Sequence, residues 1–494
     1  MKKILSILAV SALTLGASAQ NITPEILSTL KQSYEGNAAD RARQSVVSNG
    51  SFKKMAMRPE LNANGENTYF SIDIRSTGIT DQQSSGRCWM FTGLNVLRNK
   101  AMKKMGNSGF QFSHIYLFFY DQLEKSNLFL QGIIDTRNED LDSQKVQWLM
   151  QNPLSDGGTY TGVADLVSKY GLVPSEVQPE TWASNNTSEI DGHLKRKLRE
   201  IAINLREQAQ AGKSEAELQA YKVEQLKTIY HMLVFAYGEP VQEFLWAPRD
   251  KNGKPLSELK KYTPMEFYKE YCAEAGDLQN DYIMLMNDPS RPYNKVYEID
   301  MDRHVHEGHN WLYLNLDIKD LAPLAIASLQ DSTQMYFSCD VGKFLDSKKG
   351  ILDIQAWDYN SLLGTTFGMN KKQRIQTRDS GSSHAMTLMA VDLDEKGNPI
   401  KWKVENSWGA ASGHNGYLIM TNEWFNEYMF RVVVNKKYIP KKILKLTEQK
   451  PIQLPAWDPM FLVMPPPTPT LTSRRLSRTR ASPTPRPRTL LSTA

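Results

Sequence analysis

Two textures of apolar residues divide this chain. Between residues 188 and 238 they recur with helical spacing. Leu194, Leu198, Ile201 and Leu205 step by four, three and four, which puts them on one helix face. Ser214 and Glu217 match a capping box, with Leu218, Leu226, Ile229 and Leu233 following. This predicts a helical hairpin inside an insertion at about residues 185–300. The later part of that insertion is polar, with turn signals at Asn252-Gly253 and Asp288-Pro289. From about Trp311 the spacing changes. WLYLNLDI, MYFSCDV, AMTLMAVDL, KWKVENSW, GYLIMT and MFRVVV are short, β-prone runs with alternation. A helix-rich first half and a β-rich second half predict an α+β fold.

Upstream, residues 20–60 are polar with helical patches and read as a lead-in arm. Residues 68–74, TYFSIDI, alternate well enough for a strand, and residues 78–86 are turn-like. The run CWMFTGLNVLRNKAMKKM, starting at Cys88, predicts a helix closed by Lys103 and Lys104. No repeat of fixed period is visible.

The two ends differ from the body. Lys2 and Lys3, an apolar run from Ile4 to Leu15 and the small residues Ala17-Ser18-Ala19 form a secretory signal pattern, with cleavage expected before Gln20. The expectation is a signal peptide over residues 1–19 and a periplasmic or secreted protein. The apolar run is shorter than the roughly 20 residues of a spanning helix, and no membrane association is expected. Residues 461–494 hold seven Pro, six Arg and no acid, a composition that cannot build a core. They read as a disordered tail, which leaves residues 20–460 as the folded domain.

Charge then changes meaning. The formal net charge of +5 comes from those ends, and without them acids slightly outnumber bases. A near-neutral body argues against a nucleic-acid partner. With 40% hydrophobic and 23% charged residues in 494, the rest is ordinary for a soluble globular protein. Cys88, Cys272 and Cys339 are an odd set in a long chain and make no disulfide framework, although a Cys272–Cys339 bridge is open on count alone.

Cys88 carries the candidate chemistry. A thiol acts as a nucleophile through its thiolate, which the first turn of a helix stabilises. Cys88 sits there, after the Gly-containing turn QQSSGR. Amides at such a terminus can also receive an oxyanion. The best-placed base is His384, at the mouth of a β-prone run among small residues, and Asn406 in VENSWG can orient its ring. The cluster DRHVHEGH holds His304, His306 and His309. On a strand His304 and His306 would share a face suited to zinc. No Cys or carboxylate pattern completes a site, so a polar loop or surface strand is expected, with no metal and no cofactor.

QQSSGRCWMF, GSSHAMTLMAVD and VENSWG, in this order, resemble the papain superfamily of cysteine peptidases. SSGRCW, SCDVGK, DGGTYTGVADLVSKYGLVP and the long helical insertion resemble its bleomycin hydrolase and aminopeptidase C branch, over about residues 60–460. The resemblance implies a two-lobed papain-like fold, with a helical lobe carrying the Cys and a β-rich lobe carrying His and Asn. It implies Cys88 as nucleophile, His384 as base and acid, Asn406 as orienter and Gln82 as oxyanion donor, with neighbouring Gln83 a weaker choice. On the substrate side it implies Gly157, Gly158 and Trp408; the glycines present backbone, and the indole shields the His–Asn hydrogen bond. Peptides are the implied substrates and a homohexameric barrel the implied assembly.

Members of this branch end a few residues after a segment like Pro455-Ala456-Trp457-Asp458-Pro459, with that end in the cleft, which favours aminopeptidase action. Here the sequence runs on from Phe461 to Ala494. An uncapped cleft would favour an endopeptidase or amidase instead. From another class, a non-catalytic barrel binding peptide or nucleic acid is the alternative, against which the intact Cys, His, Asn and Gln set argues.

Overall fold

The computed structural model describes residues 21–460, except residues 59, 61–66, 77, 107–108 and 251. The expected signal peptide and the Pro/Arg-rich tail lie outside the described residues.

Two apolar cores flank a cleft. The first is helical. The Cys88–Met105 helix is buried along most of its length, and Gly93 lets the Tyr160–Tyr170 helix approach: a Cβ there would lie 2.7 Å from Val163. The His114–Asp135 helix packs in the same core, where Trp89, Ile115, Phe118, Leu130 and Leu166 are fully buried. The second core lies on a sheet and a helix, with Leu285, Phe337, Met386, Leu388, Val404 and Val432 buried.

The predicted hairpin is present as helices Thr187–Gln210 and Glu215–Tyr237. Leu194, Leu198, Ile201 and Leu205 are buried together, and Ser214 and Glu217 cap the second helix reciprocally. The insertion does not continue as expected to residue 300. Strands Tyr282–Met286 and Lys295–Ile299 belong to the main sheet. A five-residue run, YIMLM, is too short to lift the average of a polar stretch, yet four of its residues are buried.

Among the described residues the sheet has twelve strands. Six of them, Tyr282–Met286, Met429–Asn435, Met335–Cys339, His384–Leu393, Pro399–Glu405 and Tyr417–Thr421, pair antiparallel in that order. Each of the β-prone runs read from sequence supplies a strand. The strand expected over residues 68–74 shrinks to Ile72–Asp73. Met335–Cys339 covers residues 384–388 of the shared partner, and the short strand pairs beyond it, Ile72 with Val391 and Asp73 with Ala390. Helix Ile318–Gln330, with Pro323 inside, has no counterpart in the reading of that half. Among the described residues of the lead-in arm, helices Pro24–Ser33, Ala38–Asn49 and Phe52–Met55 bury no residue. All three cysteines are free, with Cys272 and Cys339 buried. Among the described residues no helix is long and apolar enough to cross a membrane.

Candidate active site

A cleft of about 400 Å³ opens between the lobes, lined by Cys88, Gly157 and Gly158 on one side and His384 and Ala385 on the other. Cys88 is the first residue of its helix. Arg87 before it provides no side-chain cap. The preceding turn is held from outside. Gly86 N–H donates to Asp156 Oδ2 (2.6 Å), and a Cβ at Gly86 would collide with that carboxylate. Arg87, fully buried, reaches Glu180 at 2.7 Å.

His384 opens its strand opposite Cys339, and Asn406 follows the last residue of the neighbouring strand. The register that pairs Thr387 with Glu405 brings both to one end of the sheet. His384 Nε2 lies 2.8 Å from Asn406 Oδ1, and that oxygen also accepts from Ser407 N–H at 2.8 Å. With Nε2 donating to Asn406, Nδ1 becomes the basic nitrogen. It is buried without a hydrogen-bond partner among the described residues. The Trp408 ring lies 4.7 Å from the His384 ring, tilted by 32°.

Gln82 belongs to the same arrangement. Its N–H donates to Ser407 C=O (2.8 Å) and its Oε1 accepts from Ser407 Oγ (2.6 Å). Its Nε2 donates one hydrogen to Ser85 C=O at 2.6 Å, and the second has no acceptor among the described residues. Gln83 is exposed, at φ 53°.

Burial pushes the Cys88 thiol up to about 11, while the amides of Ala385, Trp89 and Cys88 pull it down and nearby Asp156 pushes it up. Burial pushes His384 down to about 4, against the upward pull of Asn406. Each shift is the cost of one charge alone in the cleft. A thiolate and an imidazolium formed together in the cleft would offset each other's charge.

The histidine cluster lies in a loop, one of the two expected forms, with bends and turns over residues 304–308, but His304 is buried beneath the cleft and not on the surface. Asp121 faces its Nδ1 at 2.5 Å, a carboxylate 183 positions away that no local pattern could supply. His309 pairs with Asp165 at 2.7 Å, and His306 is exposed. Sequence reasoning also missed Asp156 and Ser407. Their signal was adjacency alone: Asp156 precedes Gly157-Gly158, and Ser407 follows Asn406.

A helical and a β lobe meeting at a thiol, an imidazole and an amide define a cysteine peptidase of the papain type. Known proteins agree. The description "Peptidase C1-like family" matches residues 21–461. Human bleomycin hydrolase is 40% identical over 390 residues, which covers 77% of this chain and 85% of that protein. Aminopeptidase C of Streptococcus thermophilus is 36% identical over 444 residues, covering 89% and 98%. The crystal structure of PepW from Lactobacillus rhamnosis HN001 superposes with a TM-score of 0.85 at 35% identity, covering 90% of this chain and 99% of that one. The chain belongs to the Peptidase C1-like family, in its bleomycin hydrolase and aminopeptidase C branch.

Proposed function

We propose that this protein is a cysteine aminopeptidase that removes residues from peptide N-termini through a thioester on Cys88. The carrying observation is the His384–Asn406 hydrogen bond, which leaves the other imidazole nitrogen unpartnered in the cleft that Cys88 lines. Cys88 passes its proton to His384 Nδ1, and the sulfur attacks the scissile carbonyl carbon. The oxyanion receives the Cys88 amide and the second N–H of Gln82. The C–N bond breaks as His384 protonates the leaving amine, giving the thioester. Water, deprotonated by His384, then attacks the thioester and releases the carboxylic acid and the thiol. Asn406 orients the ring, Trp408 covers that contact, and Gly157 with Gly158 lies along the substrate main chain.

The name of the Streptococcus relative supports exopeptidase action. So does the segment Ala456, Trp457, Asp458 and Met460, which lines the groove. The test is a panel of free and N-blocked peptides with products read by mass spectrometry. Single N-terminal residues, lost on blocking, are expected. Internal cuts insensitive to blocking would establish the endopeptidase reading, which the run of sequence past Met460 favours. The signal pattern supports a periplasmic or secreted location, checked by fractionation. The family likeness supports a homohexamer, checked by sedimentation.

A further inference from the structure

Beneath the proposed substrate-binding glycines lies a charged network that the acyl-transfer steps leave unused. Asp121 is fully buried in the His114–Asp135 helix. Its Oδ1 faces His304 Nδ1 at 2.5 Å, and its Oδ2 accepts from Lys125 Nζ at 2.9 Å and from Gln122 Nε2 at 2.9 Å. Lys125 has three ammonium hydrogens and three acceptors: Asp121, Ser155 C=O (2.9 Å) and Gly157 C=O (2.6 Å). Two of the three are main-chain carbonyls of the cleft wall. The segment gains a further hold where Gly157 N–H donates to Ser155 Oγ at 3.0 Å.

His304 supports the same wall from below. Its burial and the nearby Lys125 charge keep the ring neutral, despite Asp121. Nδ1–H then donates to Asp121, and Nε2 accepts from Thr159 N–H at 3.4 Å. The ring fills the space under the glycines: a Cβ at Gly158 would lie 2.2 Å from His304 Cε1, and one at Gly162 2.4 Å from it. Trp89, next to Cys88, packs on His304 edge-on with centroids 4.5 Å apart, and Lys125 lies 5.2 Å from the Trp89 ring centre. Gly158 itself commits neither its amide nor its carbonyl to another described residue.

We infer that Asp121, Lys125 and His304 are positioning residues that fix the Gly157-Gly158 wall so that the free backbone of Gly158 can pair with the substrate main chain. The inference rests on the proposed role of those glycines. A loop segment has no strand ladder to fix its peptide planes, and three side-chain bonds to its carbonyls and amides supply that constraint. The buried ions raise the cost of any other arrangement.

The test is Lys125→Met, with Lys125→Met/Asp121→Asn as a second variant that leaves no uncompensated buried carboxylate. Two reactions are compared in the full-length protein: hydrolysis of a peptide substrate, which uses the wall, and alkylation of Cys88 by iodoacetamide, which does not. In both variants KM is expected to rise about tenfold, the size of one lost hydrogen bond. Expected kcat and the alkylation rate stay within about threefold. An unchanged KM, or KM, kcat and alkylation failing together in the double variant, would overturn the inference. Alkylation of the parent enzyme that maps away from Cys88 would instead overturn the reading on which it rests.

Discussion

On the helical wall of the cleft, the parts proposed to meet substrate are held by charges. Arg87 with Glu180, Lys125 with Asp121, and Asp156 on the Gly86 amide fix a turn and a loop that have no regular partner. On the sheet wall, His384 and Asn406 are placed by strand register and an apolar core, with neutral hydrogen bonds only. A ladder fixes side-chain positions by itself, because a one-residue slip would turn every buried side chain outward. A loop needs dedicated side chains for the same precision. A buried ion pair joins the walls: Arg98 of the Cys88–Met105 helix reaches Glu405, beside Asn406, at 2.7 Å.

The largest expected effect removes the proposed nucleophile of the helical wall. Cys88→Ala should lower peptide hydrolysis by more than about 10⁴-fold with the fold intact, read by turnover and circular dichroism. Retained turnover would remove Cys88 from the site. Next is the joint between the walls. Arg98→Met should cost about 3–5 kcal/mol in urea unfolding, because Glu405 is left buried and unpaired. Arg98→Met/Glu405→Gln should recover most of that loss. No recovery would mean that packing of the Arg98 stem, not charge, joins the walls.

A smaller effect probes the sheet wall alone. Asn406→Ala removes a neutral hydrogen bond of about 1–3 kcal/mol, so kcat/KM should fall about 10- to 100-fold while the urea midpoint barely moves. A large loss of stability would show that this wall too depends on its polar contacts.

The smallest effect is a shift along the pH axis. His384 must be neutral to accept the thiol proton, so activity is gained as pH rises through its depressed value. The acid limb of kcat/KM should therefore lie below the ordinary 6.5, toward about 4. Asn406 favours the charged ring, so Asn406→Ala should move the limb lower still. A limb at or above 6.5 in the parent enzyme would contradict a desolvated imidazole.

Legibility differed between the walls for the same reason. The strands around His384 and Asn406 could be read because alternation is local, and the helix after Cys88 because its formers and closing lysines are contiguous. The YIMLM strand was lost in a polar neighbourhood, and Ile318–Gln330 was hidden by Pro323 and by the strands around it. His304 read as a surface residue because its partner sits on a distant helix.

Local sequence was enough for the elements and for the residue types proposed to act on substrate: a thiol at a helix start, an imidazole at a strand mouth, an amide at a strand end. Each of these depends on neighbours within a few positions. The tertiary structure alone decided that Ser407 ties Gln82 to the Asn406 strand and that a buried Asp–His–Lys set lies under the glycines. It also decided that Arg98 spans the two walls. Hydrogen bonds and ion pairs act over a few ångströms of space, and only the folded chain brings residues hundreds of positions apart within that reach.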